Sequence, residues 1–277
     1  MRDYTTRDIR VKGERLAMSS TTLKLIALVL MFFDHVYSFI GGAPIWLKWI
    51  GRISAPLFVF TMVWGLYYTH DRKKYLKNMY FWGVGMSVGD VLTTVLVPNA
   101  HASPSNNIFV TLFLIGFIIV MIEQFSQKKF RSGIVMLAAL LAMQALSFLL
   151  IPPTQRLIPG LPVVSLVCIA VFPNLLYCEG MFFMVIVGVA LYFSKRLPPV
   201  AFSLIYIALS ALMTLGRPIS FTTEGLLYDN YQWMMAAALP FLLAYNGKKG
   251  RNIKWLFYVF YPAHIFLLCW IGSFFSF

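Results

Sequence analysis

Apolar runs close to twenty residues long recur from one end of this 277-residue chain to the other, and most of its charge is gathered in the short stretches between them. A helix of about twenty apolar residues crosses roughly 30 Å of hydrocarbon, where no water is present to satisfy an open backbone. Hydrophobic residues make up 60% of the chain and charged residues 12%, which leaves no stretch able to build a separate soluble core. The predicted fold class is an all-α polytopic membrane protein with about nine to ten transmembrane helices. It is read as one membrane domain over 23–277 behind a cytoplasmic N-terminal tail at 1–22. That tail mixes basic and acidic residues and lacks the apolar core and small-residue cleavage site of a removable signal, so the first apolar run is expected to be retained.

A net charge of +13 would suggest nucleic acid for a soluble protein, but here the basic residues punctuate the apolar runs. They collect in the tail (Arg2, Arg7, Arg10, Lys12, Arg15), at Arg72-Lys73-Lys74 with Lys77, at Lys128-Lys129 with Arg131, at Lys195-Arg196, and at Lys248-Lys249 with Arg251 and Lys254. The positive-inside tendency places these five groups on the cytoplasmic side of a cell membrane, and the expected partner is the lipid bilayer, with no nucleic acid. Spans at 23–40, 51–70, 79–97, 107–125, 132–151, 178–194, 199–215, 231–246 and 254–276 then alternate correctly. Leu161 to Phe172 is left over, and counting it as a crossing would put Lys195-Arg196 outside. It is therefore expected to be an external or re-entrant segment.

Ionisable residues inside such spans are costly and mark function by default. Asp34 and His35 lie side by side in the first span, His35 about 18 Å from its start, slightly past the midplane. Asp90 reaches a similar depth of roughly 16 Å in the third span, and His264 about 14 Å in the last, two residues after Pro262. That proline frees the carbonyl of Tyr258 and is expected to bend the helix beside His264. Arg52 stands at the outer start of the second span, Asn106-Asn107 open the fourth, and Glu179 opens a span from the outer side. Asp34, His35, Arg52, Asp90 and His264 are thus expected to share one polar chamber in the central-to-outer half of the membrane. Blander readings stand beside this one: Asp34 and His35 as a structural pair, Arg52 and Asp90 as a buried salt bridge locking two helices, His264 bonded to a nearby carbonyl.

No phosphate-binding loop, dinucleotide fingerprint or nucleophile elbow is present. The histidines lack thiolate or carboxylate partners at ligand spacing, so no metal is expected, and Cys168, Cys178 and Cys269 read as buried structural thiols. What remains is histidine as a base, with Asp34 or Asp90 to orient it or stabilise its charged form.

Several stretches carry a resemblance: LKLIALVLMFFDH ending at His35, IGRISAPLF over 50–58, NNIFVTLF over 106–113, ALPFLLAYNGKKG over 238–250, and FYVFYPAH ending at His264. In order and spacing they resemble the TraX family of conjugal-transfer pilin acetylases, within the wider transmembrane acyltransferases that include the acyltransferase-3 proteins. The resemblance implies an acetyltransferase that takes its acetyl group from cytoplasmic acetyl-CoA as co-substrate. The acceptor it implies is an amine or hydroxyl at the outer face, on a peptide, a pilin N-terminus or a carbohydrate. His35 is similar to the family's catalytic histidine and His264 to the histidine that closes its last motif; Asp34 and Arg52 fall inside matched motifs. His35 would deprotonate the acceptor while Arg52 or His264 stabilises the oxyanion, and a transient acetyl-histidine is an alternative. Arg72, Lys73, Lys74, Asn246, Lys248, Lys249 and Arg251 would hold the CoA phosphates, unless these loops are topology signals alone. The rival reading is a proton-coupled secondary transporter of an anionic metabolite, with Arg52 binding substrate, but the paired broken helices of an internal repeat are not evident.

Overall fold

A computed structural model describes residues 17–97, 101, 102, 104, 107–157, 164–215 and 218–274, with the side chains of 151–157, 164–166, 169 and 254 outside that description. The expectations for the tail at 1–16, for Asn106 and for the start of the 161–172 segment therefore lie outside the described residues.

The chain forms α1 (Ser20–Phe39), α2 (Trp46–Gly51), α3 (Ser54–Tyr68), α4 (Arg72–Leu96), α5 (Ile108–Ser126) and α6 (Phe130–Leu157), then the short α7 (Val164–Val171), α8 (Met181–Ser194) and α9 (Pro199–Thr214). A π-helical turn over Gly225–Asp229 and a 3₁₀ helix over Gln232–Ala238 lead into α10 (Leu239–Leu243), and α11 covers Lys254–Gly272. Among the described residues the one β feature is an isolated bridge between Met18 and Tyr245.

Six segments are long and apolar enough to cross a membrane: α1, α2 with α3, α4, α5, most of α6, and α11. Three shorter apolar helices, Met181–Ser194, Pro199–Thr214 and Gln232–Leu243, occupy the remaining three expected spans. The protein is thus an all-α polytopic membrane protein. The basic groups gather at one end of the bundle. Arg72 at the start of α4 meets Glu123 near the end of α5 and Tyr192 near the end of α8, Arg196 reaches Tyr67 near the end of α3, and Ser20 and Thr21 bond the 248–251 loop. Because α6 leaves this basic end and α8 returns to it, α7 completes no crossing of its own.

Among the boundaries that differ from the sequence reading, two concern expected site residues. The second span starts at Trp46 and breaks at Arg52-Ile53, so Arg52 closes α2 instead of opening a continuous helix. Arg72, Lys73 and Lys74 are not a loop but the first turn of α4, where the Asp71 carboxylate accepts the Lys74 amide at 2.9 Å and caps the helix.

Packing divides the helices by environment. α3, α5 and α8 supply the centre, with Leu57, Val59, Leu66, Leu114, Ile115, Ile119 and Leu191 sealed from solvent together with Leu23 and Ala27 of α1. α4, α6, α9 and α11 turn large apolar side chains such as Phe81, Ile134, Leu141, Leu204 and Val259 outward. Burial of that outer surface in hydrocarbon is what the composition demands.

Candidate functional site

α1 and the α2–α3 break are held together at one residue. A side-chain carbon on Gly51 would lie 2.4 Å from Cβ of Asp34, so only glycine lets the two backbones approach this closely. The approach brings the Asp34 carboxylate between two cations. Its Oδ1 accepts from Arg52 and its Oδ2 from Lys48 Nζ at 2.8 Å, while Lys48 also reaches Ser38 Oγ at 2.6 Å. The Arg52 guanidinium lies 5.8 Å from the Tyr231 ring. With both oxygens engaged, Asp34 is a structural counter-charge, and its two cations are fixed in place. One donor of the cluster has no partner among the described residues: the buried Nε of Arg52.

The two histidines meet across α1 and α11, 229 residues apart in sequence, with His35 Nδ1 2.6 Å from His264 Nε2 and the rings within 10° of parallel. His264 Nδ1 lies 2.7 Å from the carbonyl oxygen of Phe260. A carbonyl only accepts, so His264 carries its proton on Nδ1 and presents a lone pair at Nε2. With both rings neutral, His35 Nδ1 must donate to that lone pair. The second nitrogen of His35, Nε2, is left as an acceptor, and no hydrogen bond ties it to another described residue. Pro262 lies inside α11 without interrupting it, and the nearby carbonyl that His264 uses is that of Phe260.

His35 borders a small cavity of about 40 Å³, room for a water or the end of a substrate, which Asp34, Arg52, Ser54, Glu179, Gln232 and Tyr261 also line. Glu179 enters it from the loop before α8. That loop is pinned by the polar residues of α6: Gln144 donates to Pro173 O and accepts from Leu175 N, and Ser147 Oγ accepts from Asn174. Gln232 is placed by the 3₁₀ helix, which the buried Tyr206 hydroxyl holds through Met235 O at 2.6 Å.

Of the expected residues, the structure brings Asp34, His35, Arg52 and His264 together, and leaves Asp90 apart. Arg52 pairs with Asp34, not Asp90, and the partner of His35 is His264, not an acid. Asp90 is sealed in α4, and its carboxylate has no hydrogen-bond partner among the described residues. At the basic end Arg72 is committed to Glu123 and Tyr192. Lys73, Lys74, Asn246, Lys248, Lys249 and Arg251 are exposed there, the 246–251 loop being docked on the start of α1 with Gly247 and Gly250 in left-handed backbone. Sequence reasoning missed Lys48 and left Glu179 out of the site. Lys48 had a readable signal, being, like Arg52, one of the few basic residues on the side opposite the five basic groups. Tyr261 and Gln232 had none.

A family model described as "TraX protein" matches residues 19–272. A protein of Dichelobacter nodosus, named "Probable fimbrial assembly protein FimC, serogroup H1", is 26% identical over 264 residues, covering 91% of this chain and 94% of that one. No solved structure matches.

Proposed function

The chain belongs to the TraX family, and from that membership and the site we propose an integral acetyltransferase of the cell membrane. It moves an acetyl group from cytoplasmic acetyl-CoA to an acceptor at the outer side. The name of the Dichelobacter relative, a fimbrial assembly protein, favours the N-terminal amine of a pilin-like peptide over a carbohydrate hydroxyl.

The observation that carries this reading is the His35–His264–Phe260 chain ending in the cavity. His35 Nε2 takes a proton from the acceptor nitrogen as that nitrogen attacks the thioester carbon. The imidazolium so formed still donates through Nδ1 to His264, whose other nitrogen is held by the Phe260 carbonyl, so the relay keeps the ring oriented throughout. Negative charge develops on the thioester oxygen, and Arg52, with an unused Nε–H and a guanidinium already clamped by Asp34, is the donor placed to receive it. Collapse breaks the carbon–sulfur bond, and His35 returns its proton to the departing thiolate. Lys73, Lys74, Asn246, Lys248, Lys249 and Arg251 hold the CoA phosphates at the basic end, with Arg72 secondary because Glu123 already occupies it.

Purified protein incubated with radiolabelled acetyl-CoA and a panel of peptide amines and sugar hydroxyls tests the proposal. Label is expected on a peptide amine with the parent protein and not with His35→Ala. Absence of transfer to every acceptor, or equal transfer by His35→Ala, overturns it.

A further inference from the structure

We propose that Glu179 docks the acceptor as an ammonium ion and takes the first of the two protons an amine must lose, leaving the second to His35. This rests on the acetyltransferase reading above and assigns a residue that reading leaves idle.

The need for a second base follows from the proton count. An N-terminal amine has a pKa of about 8 and arrives mostly as R–NH₃⁺ near neutral pH. Acetylation converts R–NH₃⁺ and CH₃CO–S–CoA into R–NH–COCH₃, HS–CoA and one free proton. His35 returns the proton it takes to the CoA thiolate, so the free proton must leave by another group, before the nitrogen can attack. A hydroxyl acceptor, neutral on arrival, needs no such group.

Glu179 is placed for that task. Its carboxylate borders the same cavity as His35, and among the described residues no hydrogen bond or ion pair engages it, whereas Asp34 has both oxygens occupied. Its backbone is held firmly. Thr111 Oγ1 donates to Glu179 O at 3.0 Å, and the next two residues, Gly180 and Met181, take left-handed φ values of 70° and 55°. A non-glycine residue in that region is strained and persists only where its surroundings fix it, as such backbone does at functional sites. The groups around it are Asp34 and His35 from α1, Lys48 and Arg52 from α2 and its end, Cys178 beside it, and Tyr261 from α11. Asp34 cancels one of the two cations; Glu179 balances the other until an ammonium ion replaces it as the partner. Release of the proton toward the outer side, from the loop that precedes α8 there, completes the cycle.

The test compares Glu179→Gln and Glu179→Asp with the parent on two peptide acceptors, one with an ordinary N-terminal amine and one ending in a weakly basic hydrazide that is neutral at pH 7. Melting temperature and acetyl-CoA binding serve as checks on folding. Glu179→Gln is expected to lower kcat/KM for the ordinary amine about 10–100-fold at pH 7, with the loss shrinking as pH rises through the pKa of the amine. It should cost a few-fold at most on the hydrazide, and Glu179→Asp should recover part of the activity. Equal losses on both acceptors, or no loss on the amine, overturn the assignment while the acetyltransferase reading stands. A parent that acetylates neither acceptor overturns both.

Discussion

Asp34 with Arg52 and Lys48, and Glu123 with Arg72, are built from the same parts: a carboxylate on one helix, an arginine on another, aromatic hydroxyls close by. At the basic end the parts saturate one another. Glu123 accepts from Arg72 through Oε2 and from the Tyr192 hydroxyl through Oε1 at 2.6 Å, and Arg72 also reaches Tyr192. In the cavity they do not: Arg52 keeps an unpartnered Nε, His35 keeps an uncommitted Nε2, and Glu179 adds a second carboxylate. A buried ion pair is therefore poor evidence of function by itself. What discriminates is a polar atom left without a partner on a residue that lines the cavity, as Arg52, His35 and Glu179 do; Asp90 is unpartnered too among the described residues but does not line it.

Substitutions separate the two regions in order of effect. His35→Ala should lower acetyl transfer by roughly 10²–10⁴-fold with little change in melting temperature, since it removes the base and no charge. If activity survives, the base lies elsewhere. Asp34→Asn strands Lys48 and Arg52 and should destabilise by about 3–5 kcal/mol, read as a fall in the detergent-solubilised melting temperature together with loss of transfer. His264→Ala leaves the His35 Nδ1–H without its acceptor, and a loss on the order of a hundredfold in kcat is expected, with KM for acetyl-CoA unchanged. Glu123→Gln, at the saturated pair, should cost about 1 kcal/mol of stability, because 31% of the Arg72 side chain is open to solvent, and kcat should stay at the parent value. A large drop in kcat there would erase the distinction between the regions. The smallest effect concerns Lys195, beside the saturated pair. Burial, then Arg196, pushes its ammonium down to about 8 from 10.5, while its Nζ sits 3.6 Å from the Tyr192 ring centroid. Between those two values the unfolded chain holds more protons than the folded one, so stability rises with pH across that window. Reductive ¹³C-methylation and NMR titration should find one lysine titrating near the lower value.

The spans, their alternation and the one segment that does not cross were legible because bilayer thickness and loop charge act locally, on windows the sequence displays directly. Asp34, His35, Arg52 and His264 were legible for a related reason: their polarity conflicts with their surroundings. Their pairing was not. Depth put Asp90 on a level with His35, yet depth says nothing of which face of a helix a side chain occupies, and the buried Asp90 does not line the cavity. Gly51 decides where Arg52 goes, because its missing side chain lets Asp34 approach, a condition met only in three dimensions. Glu179 depended on a loop whose path is set by Gln144 and Ser147, two polar residues whose task could not be guessed from an apolar helix.

The two halves of the site also differ in when they can exist. Lys48 and Arg52 follow Asp34 by 14 and 18 residues, so that cluster can close as soon as the second span enters the membrane. His264 trails His35 by 229 residues. At a synthesis rate of about 5–20 residues per second, His35 waits roughly 10–45 s for the ring that orients it. A nascent chain thus shields its charges early and brings its two histidines together last, and under the proposed acetyltransferase function a protein halted before the final helix is assembled would be inert.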